Sequence, residues 1–135
     1  MQTVSIQSPP GLLRATVLVE RLREEVDGQN ILSPTKFIDM MGLDVSAFAA
    51  HAHVHRNTVT RAPGSASVQG HIRVNLRVLS AAMATAGGDL ERAIFWYKNE
   101  PLAPFAYKTA EALVAEGRAD DVISLLESYQ AGFTG

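Results

Sequence analysis

The chain has no cysteine among its 135 residues. That excludes disulfides, thiolate metal sites and a cysteine nucleophile. It also lacks any run of about 18 apolar residues, the length that marks a bilayer-spanning helix. Its first residues, Met1 through Pro10, show neither the basic nor the apolar region of a signal peptide. A cytoplasmic protein without membrane contact is therefore expected. The most informative absence is internal: residues 45–88 contain no Asp or Glu.

That acid-free stretch carries Arg56, Arg61, Arg73 and Arg77 and all four histidines, a net of +4. Residues 1–44 carry four basic and six acidic side chains, a net of −2, and residues 89–135 carry four basic and eight acidic ones, a net of −4. A basic middle between acidic flanks is the charge pattern of a nucleic-acid face. At 47% hydrophobic and 19% charged, the chain has the composition of an ordinary globular domain rather than a disordered one. Its length suits one compact domain or two small lobes sharing a core.

Helical spacing recurs from end to end. Ser8-Pro9-Pro10-Gly11 suits a helix start, and Leu18, Leu22 and Val26, with Leu13 and Val17 alongside, predict an amphipathic helix over residues 12–27. On its wet side Arg21 and Glu25 lie one turn apart, and Gly28 ends it. Ser33-Pro34 starts a second helix with Phe37, Ile38 and Met41 inward and Gly42 as its stop. Asp44 or Ser46 caps a third, through His51. Residues 64–70 read as a loop and the best boundary. Beyond it, Ile72, Leu76, Leu79 and Met83 predict a long helix ending at Gly87-Gly88. Asp89 caps the next, with Leu90, Ala93, Ile94 and Tyr97 inward. Residues 99–104 are a link, and a helix follows over about residues 105–116. Residues 119–131 form the last helix, with Val122, Leu125, Leu126 and Tyr129 inward, and residues 132–135 are a tail. No strand is required, so the fold class is all-α, divided as 1–30, 31–70 and 71–135.

Residues 48–61 then read as two short helices joined by a sharp turn, the arrangement that places a second helix in the DNA major groove. Phe48, Ala49, Val54 and Val59 hold the packing positions; Arg56, Asn57, Thr58, Thr60 and Arg61 hold those that meet nucleic acid. The run resembles the helix-turn-helix of bacterial repressors, Leu-Ala-x-x-x-Gly-Val-Ser-x-x-Thr-Val-Ser-Arg. It departs at two places: His53 stands for the turn glycine and His55 for the capping serine.

Other chemistry is weak. Spacing of four would bring His51 and His55 to one face of a continuous helix, but the turn breaks that geometry and no acid is near, so no metal site is expected. The adjacent pairs Glu24-Glu25 and Asp120-Asp121 diverge on a helix. Gly87-Gly88 lacks the lysine and spacing of a phosphate loop, and no serine has an elbow motif. His71 adds nothing to a site, and Trp96 reads as core. No catalytic residue and no cofactor is assigned; an enzyme is the weakest of the function classes.

The C-terminal part carries a second resemblance. Trp96 ends an Ala/Ile-rich helix; Asn99-Glu100-Pro101-Leu102, the stretch from Thr109 to Val114, Gly117, Val122, Leu126 and Gly132-Phe133 follow in order. From Asp89 on, the chain resembles the C-terminal toxin-binding domain of the MbcA/ParS/Xre antitoxin family. Trp96-Tyr97 and Thr109-Ala110 depart from the family's usual Trp-Leu and Thr-Pro, as in a divergent member. The resemblance implies a helix-turn-helix lobe packed on a small helical toxin-binding lobe, in a homodimer that joins a hetero-oligomeric toxin–antitoxin complex. It implies a RES-domain toxin as partner, similar to ADP-ribosyltransferases and dependent on NAD, whose active site the antitoxin's C-terminal end occludes. Here that end is Tyr129, Gly132, Phe133, Thr134 and Gly135. Phe133 suits a buried anchor and the terminal carboxylate suits pocket arginines, and the acidic C-terminal third suits a basic toxin. On the residues alone, 132–135 read as a frayed end. Operator DNA is a further partner if the protein represses its own operon. The alternative is a helix-turn-helix transcriptional regulator whose C-terminal helices only dimerise.

Overall fold

In the computed structural model, which describes residues 10–132 (side chains from residue 15), the first helix is shorter than its apolar spacing suggests. Helix α1 spans Pro10–Leu22. The chain then forms an antiparallel hairpin, β1 Arg23–Val26 and β2 Gln29–Leu32. Asp27 and Gly28 make the turn with φ of 51° and 77°. Two successive positive φ values match the twist of the flanking strands, glycine adopts them freely and aspartate tolerates them. The expected helix over residues 12–27, and the expectation that no strand is required, are thereby corrected. Val26 continues the helical apolar period yet sits half-buried in β1. Arg21 and Glu25 do not share a helix; Arg23 pairs with Glu20 instead, at 2.8 Å. The cap expected at Ser8 and the side chain of Leu13 lie outside the described residues.

The next helices start where local chemistry places them. α2, Pro34–Met41, begins at Ser33, whose hydroxyl accepts from Lys36 N–H at 3.1 Å, and ends at left-handed Gly42. Lys98 Nζ donates to Met41 O at 2.7 Å, satisfying a carbonyl that the helix end leaves open. α3, Val45–Ala52, is capped by Asp44, which accepts from Ala47 N–H at 2.7 Å. α4 is Arg56–Arg61. Phe37 and Phe48 meet edge-on, centroids 5.7 Å apart, and seat α3 against α2.

Of the loop expected over residues 64–70, only Gly64 and Ser65 lie outside a helix. Ser65 caps α5, Ala66–Thr85, which carries Gly70 within it. α6, Leu90–Asn99, is capped by Asp89. The helix expected over residues 105–116 is also corrected: Ala103–Phe105 is a 3-10 turn, Ala106 and Tyr107 are left-handed, and α7 spans only Ala110–Ala115 behind Thr109. α8 is Ala119–Gly132. Among the described residues the protein is mostly helical, with one small two-stranded sheet. No described helix is long and apolar enough to cross a membrane.

Helix α5 is the axis. It packs against α1, α2, α3, α6 and α8, and its apolar side chains are buried on several faces: Val68, Ile72, Leu76, Val78, Leu79 and Ala82. Its remaining side, along Gly70, Arg73 and Arg77, is exposed. Among the described residues, α1 to α8 all contribute to an apolar cluster around it, and α5 passes straight through position 70. Its buried polar groups must then find partners inside the protein. Gln69 does so fully: Oε1 accepts from Leu32 N–H at 2.9 Å, and Nε2 donates to Leu32 O and Pro63 O, each at 2.8 Å. It thereby ties the hairpin and the end of α4 to the central helix.

Replacing that amide tests the tie. Gln69→Leu keeps the volume but leaves a buried N–H and two carbonyls unpartnered, an expected loss of about 3 kcal/mol in urea unfolding. A loss below about 1 kcal/mol would show that water or a local shift replaces the bonds.

Candidate functional site

The turn between α3 and α4 is built by the two histidines that depart from the repressor pattern. His53 holds the left-handed position, φ 58° and ψ 41°. A side chain costs roughly 1 kcal/mol or more there compared with glycine. Its imidazole offsets this: Nε2 donates to Ala115 O at 2.6 Å, taking up a carbonyl at the open C-terminal end of α7. His55 is extended, and its Nδ1 accepts from Asn57 N–H at 3.1 Å, the capping role of the serine it replaces. Neither substitution disrupts the turn; each does local work with an imidazole.

Capped in this way, α4 presents Arg56, Asn57, Thr60 and Arg61 to solvent while Val59 is buried beneath. Thr58 is half-buried, so four of the five candidate nucleic-acid residues share the open side. Thr60 Oγ1 donates to Asn57 O at 3.2 Å. The hairpin alters the charge picture locally: Glu24 lines a groove with Thr35, Val59 and Thr60. The sequence places no acid within residues 45–88, but the fold brings one there from β1.

Behind the turn lies a buried polar chain that sequence reasoning missed. His71 stands edge-on to Phe48, with ring centroids 5.3 Å apart. Asn75 Nδ2 donates to His71 O at 2.8 Å and also reaches His71 Nε2 at 3.1 Å, while Asn75 Oδ1 accepts from the Tyr97 hydroxyl. Because Nδ2 is a donor, His71 Nε2 must accept, and the ring is neutral. Burial, reinforced by His51 and His53, lowers the His71 pKa to about 4. Burial, with the Glu111 carboxylate adding to it, pushes the Tyr97 phenol well above its ordinary range. Three of the four histidines, His53, His55 and His71, thus form a turn, a cap and a core link. Among the described residues, no group of three or more His, Asp or Glu could hold a metal ion.

At the other end, Tyr129 and Gly132 of α8 line an open groove of about 610 Å³ with Thr85, Trp96 and Ser128. Tyr129 is 40% exposed rather than inward, because α8 outruns the core beyond Leu126. Trp96 is half-buried and forms a wall of this groove, and Phe95 beside it is 69% exposed. Phe133, Thr134 and Gly135 lie outside the described residues. Comparison with family models, curated proteins and solved structures finds no match to the chain.

The His71 network carries a pH signature. The folded pKa lies below the unfolded value, so the unfolded chain takes up the proton first as pH falls. Stability is complete above about pH 6.5 and declines towards about pH 4, by about 2 kcal/mol after allowing for partial exposure. Unfolding free energies measured across that range should show the decline in the wild type and a flatter profile in His71→Gln. Parallel profiles would remove His71 from the explanation.

Proposed function

We propose that the protein is an antitoxin of the MbcA/ParS/Xre kind, which binds a RES-domain toxin and blocks its NAD-using site with the C-terminal end. The observation that carries this reading is the groove at the end of α8. Tyr129 and Gly132 share it with Trp96, so the chain reaches Phe133, Thr134 and Gly135 from a surface with aromatic walls. Aromatic side chains in partly desolvated pockets are the usual anchors of protein interfaces. The ordered set of residues from Trp96 to Phe133 supports the family reading, and the net acidity of residues 89–135 suits a basic, NAD-binding partner. In this reading the protein acts in the cytoplasm as a homodimer within the toxin complex, is not itself an enzyme and needs no cofactor.

A second role at DNA is favoured by α4. Its exposed Arg56, Asn57, Thr60 and Arg61 stand on a short capped helix whose apolar side is anchored by Val59. This suits repression of the protein's own operon through a helix-turn-helix lobe. The same surface serves the competing reading of a plain transcriptional regulator. Only the antitoxin reading gives the last residues a task.

Removing residues 132–135 separates the two. The truncated protein should keep its helical spectrum and melting temperature but fail to protect cells expressing the toxin; full protection would defeat the tail mechanism. For DNA, Arg61→Ala should weaken binding to an upstream fragment and lower the slope of log affinity against log salt by about one. If wild-type protein fails to shift that fragment at low salt, α4 has no DNA role.

A further inference from the structure

A second groove, about 470 Å³ in volume, lies between α1, the hairpin and α5, away from the C-terminal groove. Val19, Leu32 and Leu76 give it an apolar lining, and three guanidinium-bearing residues, Arg23, Arg73 and Arg77, line it as well. Among the described residues no carboxylate lines it. The arrangement follows from the fold. Arg73, Leu76 and Arg77 are spaced three and four residues apart on α5, which puts them on one face. Arg23 and Leu32 are directly paired across the hairpin and so share its face towards the groove.

The charges there are not balanced. Arg23 is held by Glu20 and Arg77 by Asp120, both in exposed pairs. Arg73 has no such partner among the described residues, and it stands one helical turn from Arg77, a spacing at which like charges repel. An apolar concavity of this size with a few convergent polar groups is the usual form of a small-molecule site. Guanidinium groups over such a floor select an anionic head, because charge-assisted hydrogen bonds to carboxylate or phosphate are their strongest contacts.

We propose that this groove binds a small amphiphile, an apolar body with a single carboxylate or phosphate head, the head meeting Arg73 and the body lying on Val19, Leu32 and Leu76. The site is independent of the antitoxin reading. Because its walls include the hairpin that Gln69 ties to the end of α4, occupancy would also brace that end of the molecule.

Calorimetric titration of the full chain with decanoate and with decyl phosphate tests this, with decanol as the uncharged control. Saturable binding of one or both anions at one site per chain, with little for decanol, is expected, and which anion binds tighter identifies the head. Arg73→Ala should weaken binding about tenfold or more, and Arg73→Glu should abolish it. Arg73 is exposed, so both variants should melt like the wild type. The proposal is overturned if neither anion binds, if decanol binds as well, or if Arg73→Glu keeps the wild-type affinity. It is also overturned if short duplex DNA displaces the anion, or if the groove binds only after a dimer of the chain dissociates.

Discussion

A helix cannot leave polar groups to water on the sides its neighbours cover, and α5 packs against five other helices. Its buried Gln69 acts as a backbone substitute, offering Leu32 both the acceptor and the donor that a neighbouring strand would supply. The third bond, to Pro63 O, reaches the chain just after α4. One side chain therefore sets where the hairpin sits and how α4 ends. Asn75 does the same lower down, joining His71 to Tyr97 of α6. These bonds add modest net stability each. Their larger effect is to exclude other arrangements, since any shift of the hairpin or of α6 would strand buried polar atoms.

The two regions given roles are joined through the same frame. The turn before α4 is fastened to the end of α7 by His53, whose partner Ala115 is 62 residues away. α7 and α8 then lead to the groove at Trp96 and Tyr129. In the proposed antitoxin, the DNA-facing helix and the toxin-facing end are therefore parts of one packed body rather than beads on a linker.

What was legible in the sequence was local. Ser33-Pro34, Asp44, Asp89 and Gly42 mark helix ends because cap chemistry acts over three or four residues. Leu18 and Leu22 declare their burial by spacing. The hairpin was hidden because Val26 continues that spacing into β1, although Asp27-Gly28 is a strong turn signal. The start of α5 looked like a loop because Gly64, Ser65, Ser67, Gln69 and Gly70 are loop-like in composition, and the bonds that justify Gln69 come from distant residues. Ala106-Tyr107 gave no warning, since neither is a residue that favours positive φ. At the candidate sites, the exposed face of α4 followed from the motif's spacing. The partner of His53, the inward role of His71 and the approach of Glu24 to Thr60 are tertiary facts that no local pattern contains.

The central claim is that this chain silences an NAD-consuming toxin by direct occupation. NAD turnover by a purified RES-domain toxin, titrated with the purified chain, measures it most directly. Turnover that falls to zero at a fixed molar ratio, with NAD competing against the inhibitor, is the result expected. Undiminished NAD consumption at saturating excess of the chain, in a mixture where the two proteins form no complex, would contradict it.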